Sequence, residues 1–150
     1  MPANKATQVQ HPPRWLVRTA SVIHRWLYQF SRGKWGTHVG SVPVLLLTTT
    51  GRKSGKRRTT PLCYLEHPNG WVVPAFNAGY DYEPQWWLNL KANAKGEVRI
   101  GGTAHPVRAR IATASEQKAY TERMVTVAPD YQIHQNQITR EISMVLLERT

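Results

Sequence analysis

The sequence predicts a mainly β protein with flanking helices, its six short strands closing fully or partly into an antiparallel barrel behind an N-terminal amphipathic helix. Three observations carry that prediction. From Val42 onward, short apolar and β-branched runs alternate with glycine-bearing turn signals. Only two helix-like stretches interrupt those runs. Ahead of them, apolar residues between Arg14 and Phe30 recur at helical spacing.

Residues 1–13 are polar and end in His11-Pro12-Pro13, which favours no regular element. Trp15, Leu16, Val22, Ile23, Trp26, Leu27 and Phe30 then share one helical face, with Arg14, Arg18 and Arg25 on a stripe beside it. Gly33 and Gly36 end that helix. It is either an amphipathic helix docked on the core or one that also touches an anionic membrane surface through Trp15, Trp26 and the arginines. Strands are expected at 43–50, 61–66, 71–76, 97–101, 104–112 and 142–148. Asn69-Gly70 marks a tight turn between the second and third, and Gly101-Gly102 another between the fourth and fifth. Helices are expected over about 84–93, with Pro84 in the first turn, and about 115–127, opening on Ser115-Glu116 as the cap. The chain divides into a tail and helix over 1–34 and a barrel domain over 35–150.

A chain of 150 residues, 41% hydrophobic, is long enough for one domain with its own core. No apolar run reaches the length of a membrane span, and the first residues lack the apolar centre of a secretory signal. Cys63 is the only cysteine, so no intrachain disulfide can form and a cytoplasmic setting is expected. The six histidines show no paired ligand spacing, so no metal site is expected. Gly-x-Ser-x-Gly and Gly-x-Gly-x-x-Gly are both missing, which argues against a hydrolase elbow and a Rossmann nicotinamide site. The net charge of +11 suits nucleic acid, anionic lipid or an anionic small molecule, and charge alone does not choose among them.

The charge is concentrated. Five of the seven residues from Arg52 to Arg58 are Arg or Lys, flanked by Gly51 and containing Gly55. Such a turn is either a solvated basic hairpin or a site for a phosphate and several carboxylates. It is not a P-loop, because Lys56 stands where the second glycine should be. Downstream come Pro74-Ala75-Phe76-Asn77-Ala78-Gly79, then Glu83-Pro84-Gln85-Trp86-Trp87-Leu88-Asn89-Leu90, then Tyr131 and His134 ahead of Thr139-Arg140-Glu141-Ile142.

With Leu46-Leu47-Thr48-Thr49-Thr50-Gly51-Arg52-Lys53-Ser54-Gly55, these blocks resemble the deazaflavin-dependent nitroreductase family of actinobacteria, over roughly residues 35 to 148. The resemblance implies a split β-barrel and coenzyme F420, a flat 8-hydroxy-5-deazaflavin on a tail of phosphate and glutamates. It implies that Arg52, Lys53 and Arg58 hold the tail, and that Thr60 and Pro61 run beside the ring. It implies backbone contacts from Ala75, Phe76, Asn77 and Ala78, with Phe76 a departure from the small residues usual there. Trp86, Trp87 and Asn89 are implied to lie near the cofactor, and Tyr131 and His134 to line the acceptor pocket and supply a proton. His134 stands where the family often has Tyr.

The expected activity is hydride transfer from the reduced deazaflavin to a quinone, enone or nitro-type acceptor. The expected setting is cytoplasmic, with peripheral membrane contact through the N-terminal helix. Two alternatives stand beside it: an FMN- or haem-binding protein of the same barrel superfamily, and a nucleic-acid-binding barrel. FMN has one phosphate and no glutamate tail, so five cations in one turn exceed its need. The cations do not interleave with aromatics along strands, which disfavours nucleic acid.

Overall fold

The structure, a computed structural model, describes residues 38–39, 42–77 and 80–150. The helix expected over Arg14–Phe30 and the tail before it lie outside the described residues. Eight strand segments and three helices follow in order: β1 (His38–Val39), β2 (Val42–Thr50), β3 (Arg57–Cys63), β4 (Leu65–His67), β5 (Gly70–Pro74), α1 (Gln85–Ala92), β6 (Lys95–Ile100), β7 (Thr103–Ile111), α2 (Ala114–Val127), α3 (Asp130–Gln137) and β8 (Met144–Arg149). The strands form one antiparallel sheet in the order β1-β2-β6-β7-β8-β5-β4, with β3 paired to β2.

The six expected strands are therefore eight segments. The expected second strand begins four residues earlier, at Arg57 instead of residue 61, and is broken into β3 and β4 at Tyr64. Its polar start hides its strand character, because Arg57 and Arg58 are exposed and Thr59 and Thr60 only half-buried. The Tyr64 amide donates to the Pro43 carbonyl at 3.1 Å. Around that residue the chain passes from pairing with β2 to pairing with β5.

The sheet has two apolar faces, and β5 and β8 contribute to both. Their register sets Trp71 opposite Leu147, Val72 opposite Leu146 and Val73 opposite Val145. Side chains alternate along a strand, so each strand splits its residues between the faces. Trp71, Val73, Val145 and Leu147 join Leu45, Leu47, Val98, Val107 and the α1 residues Trp86, Trp87 and Leu90 in a first core. Val72, Met144 and Leu146 join Leu65, Tyr120, Met124, Tyr131 and Ile142 in a second core, beneath α2 and α3. This explains why Trp71–Val73 and Met144–Leu147 are continuous apolar runs. Each such fully buried side chain contributes about 1.5–3 kcal/mol.

Helix α1 agrees with expectation. The cap of α2 lies two residues before the expected one. Thr113 Oγ1 accepts from the Glu116 amide at 3.4 Å, and the Glu116 carboxylate accepts from the Thr113 amide at 2.8 Å. That carboxylate also takes both terminal nitrogens of Arg110, at 2.8 and 2.9 Å. The Arg110 guanidinium, with the Thr113 amide, lowers the Glu116 pKa to about 2. Arg110 Nε also donates to Glu148 at 3.1 Å, so one cation joins β7, α2 and β8.

Helix α3 was not expected. Its apolar residues Tyr131 and Ile133 stand two apart and give no helical stripe; Tyr131 is buried and Ile133 is 51% exposed.

The hairpin between β6 and β7 turns on Gly101 and Gly102 as expected, both at positive φ (+56° and +88°). The one between β4 and β5 turns one residue early, on Pro68-Asn69, with Gly70 paired to His67 as the first residue of β5. Gly70 has φ +154°, and a Cβ there would collide with the Leu147 carbonyl of the adjacent strand. Gly70→Ala should therefore cost at least about 2 kcal/mol, since both the backbone angle and the space are unavailable to alanine. Urea unfolding of the variant checks this; a midpoint equal to the parent's would mean that β5 and β8 can move apart freely there.

Candidate functional site

The cationic turn spans the six residues between the Thr50–Arg57 pair that closes the β2–β3 hairpin. It is held from within by Gly51 N–H to the Lys56 carbonyl and Gly55 N–H to the Gly51 carbonyl, both 2.8 Å. Gly55 sits at φ +69°, a backbone that suits glycine.

Asn89 of α1 fixes this turn from outside. Its Oδ1 accepts from the Arg52 backbone amide and from Arg52 Nη1, both at 3.1 Å. Its Nδ2 donates to Thr49 Oγ1 at 3.2 Å, and Arg52 Nη1 also donates to Gln85 Oε1 at 3.0 Å. Asn89 and Thr49 are the two buried polar residues of the described chain, 5% and 2% exposed. One buried amide thus joins the end of β2, the turn and α1.

The cations divide by partner. Arg52 is committed to α1. Arg57 pairs with Glu97 at 3.4 Å, and Glu97 also approaches Arg99 at 3.8 Å. Among the described residues, the side chains of Lys53, Lys56 and Arg58 have no hydrogen-bonded or ionic partner.

They also divide by face. Arg58 pairs with Thr49, Thr60 with Leu47 and Leu62 with Leu45. Paired residues of an antiparallel ladder share a face, and Leu45, Leu47 and Leu62 belong to the first core. Arg58, Thr60 and Leu62 therefore form a row running from an exposed rim into that core. Arg57, Thr59 and Pro61 lie on the opposite face, where Thr59 Oγ1 meets Thr48 Oγ1 at 2.9 Å. The structure thus separates Thr60 from Pro61.

Trp86 and Trp87 are 4% and 5% exposed, in the first core, with ring centroids 6.3 Å apart. Trp87 Nε1 is buried without a hydrogen-bond acceptor. Ala75 is fully buried in the same core, whereas Phe76 packs against the second, so the Ala75–Phe76 step passes from one core to the other. Ala78 lies outside the described residues. Arg140 Nη2 donates to the Ala75 carbonyl at 3.1 Å, which ties this segment to the start of β8.

Tyr131 lies in the second core, across the sheet from Trp86, Trp87 and Leu90. Its hydroxyl is buried without a partner, and burial, assisted by Glu141, raises its pKa to about 12. The phenol therefore holds its proton throughout the neutral range. The backbone of His134 is in α3, three residues on. Cys63 is half-buried, and burial raises its thiol pKa, so it is not a ready nucleophile. No cluster of metal-ligating side chains occurs among the described residues.

Sequence reasoning missed Thr49, Gln85, Asp81 and Arg140 as site-building residues. The missing signal for the first two was in the pattern, since Gln85 and Asn89 are four apart on α1 and Thr49 immediately precedes the turn pair.

The model of the F420H(2)-dependent quinone reductase family matches residues 16–149. An F420H(2)-dependent quinone reductase of Mycobacterium tuberculosis is 37% identical over 105 residues, 63% of this chain and 70% of that protein. Among solved structures, an F420-H2 dependent reductase, FDR-A, superposes with a TM-score of 0.65 at 33% identity, over 75% of this chain and 100% of that one. Another chain, described as a domain-swapped dimer, has a TM-score of 0.66 at 32% identity and covers 91% of this chain and 100% of its own.

Replacing Asn89 with Leu removes the amide but keeps the volume. It strands Thr49 and the Arg52 amide, so the variant should lose about 1–3 kcal/mol of stability. The Arg52 amide should also exchange faster with solvent deuterium. Parent-like exchange there would mean that the turn holds its shape unaided.

Proposed function

The chain belongs to the F420H(2)-dependent quinone reductase family, and from that premise we propose which residues hold the cofactor and which serve the acceptor. The protein is an F420-dependent oxidoreductase that reduces quinone- and nitro-type acceptors by hydride transfer. Bound in its reduced form, the deazaflavin supplies the hydride. The observation that carries the residue assignment is the row Arg58–Thr60–Leu62, running from a rim of unpartnered cations into an aromatic core.

Lys53, Lys56 and Arg58 take the phosphate and glutamates of the tail through charge-assisted hydrogen bonds. Arg52 is a positioning residue, since Gln85 and Asn89 already hold its guanidinium. Thr60 follows Arg58 inward toward the ring, with Ala75 and Asn77 supplying backbone nearby. Trp87 Nε1, a buried donor without an acceptor, fits a ring heteroatom. Pro61 acts through the strand, from its other face. Trp86 and Trp87 exclude water, and Asn89 fixes the turn that presents the cations. The acceptor's proton is assigned to Tyr131, whose hydroxyl, buried in the second core with Phe76 beside it, must turn toward the acceptor to deliver it. His134 is the second choice.

The sheet is taken as the split barrel of the superfamily, with β3 and β4 acting as one bent strand about Tyr64 that joins its two ends. The apolar stripe and arginines between Arg14 and Phe30 support peripheral contact with membrane, where lipophilic quinones reside, and the single cysteine fits a cytoplasmic setting.

Cofactor choice is tested by fluorescence quenching at fixed salt. F420 should bind more tightly than FMN, and Lys53→Ala or Arg58→Ala should each weaken F420 binding by about 1.5–3 kcal/mol. Arg57→Ala should matter less, because Glu97 already occupies that cation. Equal affinities for the two cofactors would overturn the assignment of the turn.

The proton donor is tested by single-turnover oxidation of bound reduced F420. Tyr131→Phe should slow the reaction roughly 10²-fold or more while leaving cofactor affinity near the parent value. With a folded-state pKa of about 12, a Tyr131 donor stays protonated from pH 6 to 9, so the parent rate should be flat there. A parent rate that falls as pH rises through about 6.5 would move the role to a histidine, and His134→Gln should then abolish that fall.

A further inference from the structure

We propose that the outer face of β2, at Val42, Val44 and Leu46, is the seat of this chain's own N-terminal segment, Arg14–Phe30, docked by its apolar stripe. The inference stands apart from the oxidoreductase reading and concerns the barrel whatever its activity. Strand alternation turns Leu45 and Leu47 into the first core, so Val42, Val44 and Leu46 face the other way. They are 6%, 3% and 1% exposed, yet belong to neither core. Their paired neighbours on this face are few: Leu46 meets Pro61 and Arg99, and Val44 meets Cys63. The side chains of Arg99 and Arg57 are 44% and 70% exposed, so the cations at the edge of the patch point to water rather than lying over it. Burial also raises the thiol pKa of Cys63, although Cys63 too lies in neither core. A patch so well shielded on the outside of the sheet has a cover of its own.

The chain ahead of His38 is the occupant in reach. β1 pairs with Val42 and Pro43, so that chain enters the sheet beside the patch. It carries an apolar stripe from Trp15 to Phe30 that needs a partner face. At 1.5 Å per residue, a helix over 14–30 is about 25 Å long. The nine residues of β2 span about 30 Å. Residues 31–37, with Gly33 and Gly36 among them, reach up to about 25 Å, enough to fold such a helix back along β2. A tether this short makes capture by the same chain more frequent than capture by a second copy. Docking by the stripe leaves Arg14, Arg18 and Arg25 at its side, free to meet anionic headgroups. It also braces the β2–β3 pair from behind, on the face where Thr48 meets Thr59, and that pair carries the cationic turn.

Cys63, the single cysteine of the chain, reports on the patch without any substitution. In the full-length protein, free of lipid, its alkylation by N-ethylmaleimide should be slow. Ile23→Asp combined with Leu27→Asp puts charge on the stripe and should speed alkylation roughly tenfold or more. Hydrogen exchange at the Trp71–Val73 amides, followed alongside, should stay slow, which separates an uncovered patch from an unfolded barrel. Where that variant fails to fold, crosslinking decides. Leu16→Cys, Ile23→Cys and Leu27→Cys, with Ser21→Cys on the far side of the helix as control, are each treated with a short bismaleimide. Isotope-labelled and unlabelled chains are mixed equally, and the linked peptides are weighed. Links to Cys63 within one chain, from the stripe positions but not from Ser21→Cys, are expected. Links only between labelled and unlabelled chains would make a second copy the occupant and overturn the proposal. So would a parent thiol that reacts as fast as in urea, which would leave lipid as the cover, or a rate that the two aspartates do not change.

Discussion

One buried side-chain amide governs the geometry of the candidate site. Apolar packing holds α1 against the sheet, but it is non-directional and would tolerate a helix rotated or slid by a fraction of a turn. Asn89 removes that freedom. Its carboxamide must satisfy both ends in a water-poor setting, and only one placement of α1 brings Thr49 and Arg52 to it together. Because Trp86 and Trp87 ride on the same helix, that placement also fixes the aromatic wall of the first core. The cations of the turn and the indoles of the core are therefore positioned by one contact.

The β5–β8 pair imposes a second constraint. Its residues alternate between two cores, so neither face can be repacked without disturbing the other. This places Trp87 and Tyr131, which among the described residues are the two buried aromatic residues with an unpartnered polar atom, on opposite sides of one sheet. The connection between those sides is the Ala75–Phe76 step and Arg140, which are backbone and guanidinium rather than a continuous apolar path. Arg140 also carries a buried Nε without a partner.

Much of this was legible in the sequence, for identifiable reasons. β2, β5, β7 and β8 announce themselves by apolar, β-branched composition, and Gly101-Gly102 by the positive φ angles its turn requires. α1 follows from Pro84 and the Trp86–Asn89 spacing. β3 was read short because its first residues are polar and exposed, and α3 was invisible because Tyr131 and Ile133 do not share a helical face. Alternation along a strand beginning at residue 57 is enough to put Arg57 and Arg58 on opposite faces. The polar contacts of Asn89 and Asp81 could not, since each joins residues far apart in sequence and depends on how elements pack. Family resemblance implies the cofactor and its neighbours in the chain, but not which cations are already paired.

The position of β8 in the sheet bears on how the chain emerges during synthesis. β8 is paired on both sides, to β5 and to β7, and feeds both cores. Until residues from Met144 onward are added, β5 has one edge without a neighbour, and so has β7. Unpaired strand edges of this kind are open to pairing with another copy. Docking of β8 between them pairs both edges in a single event.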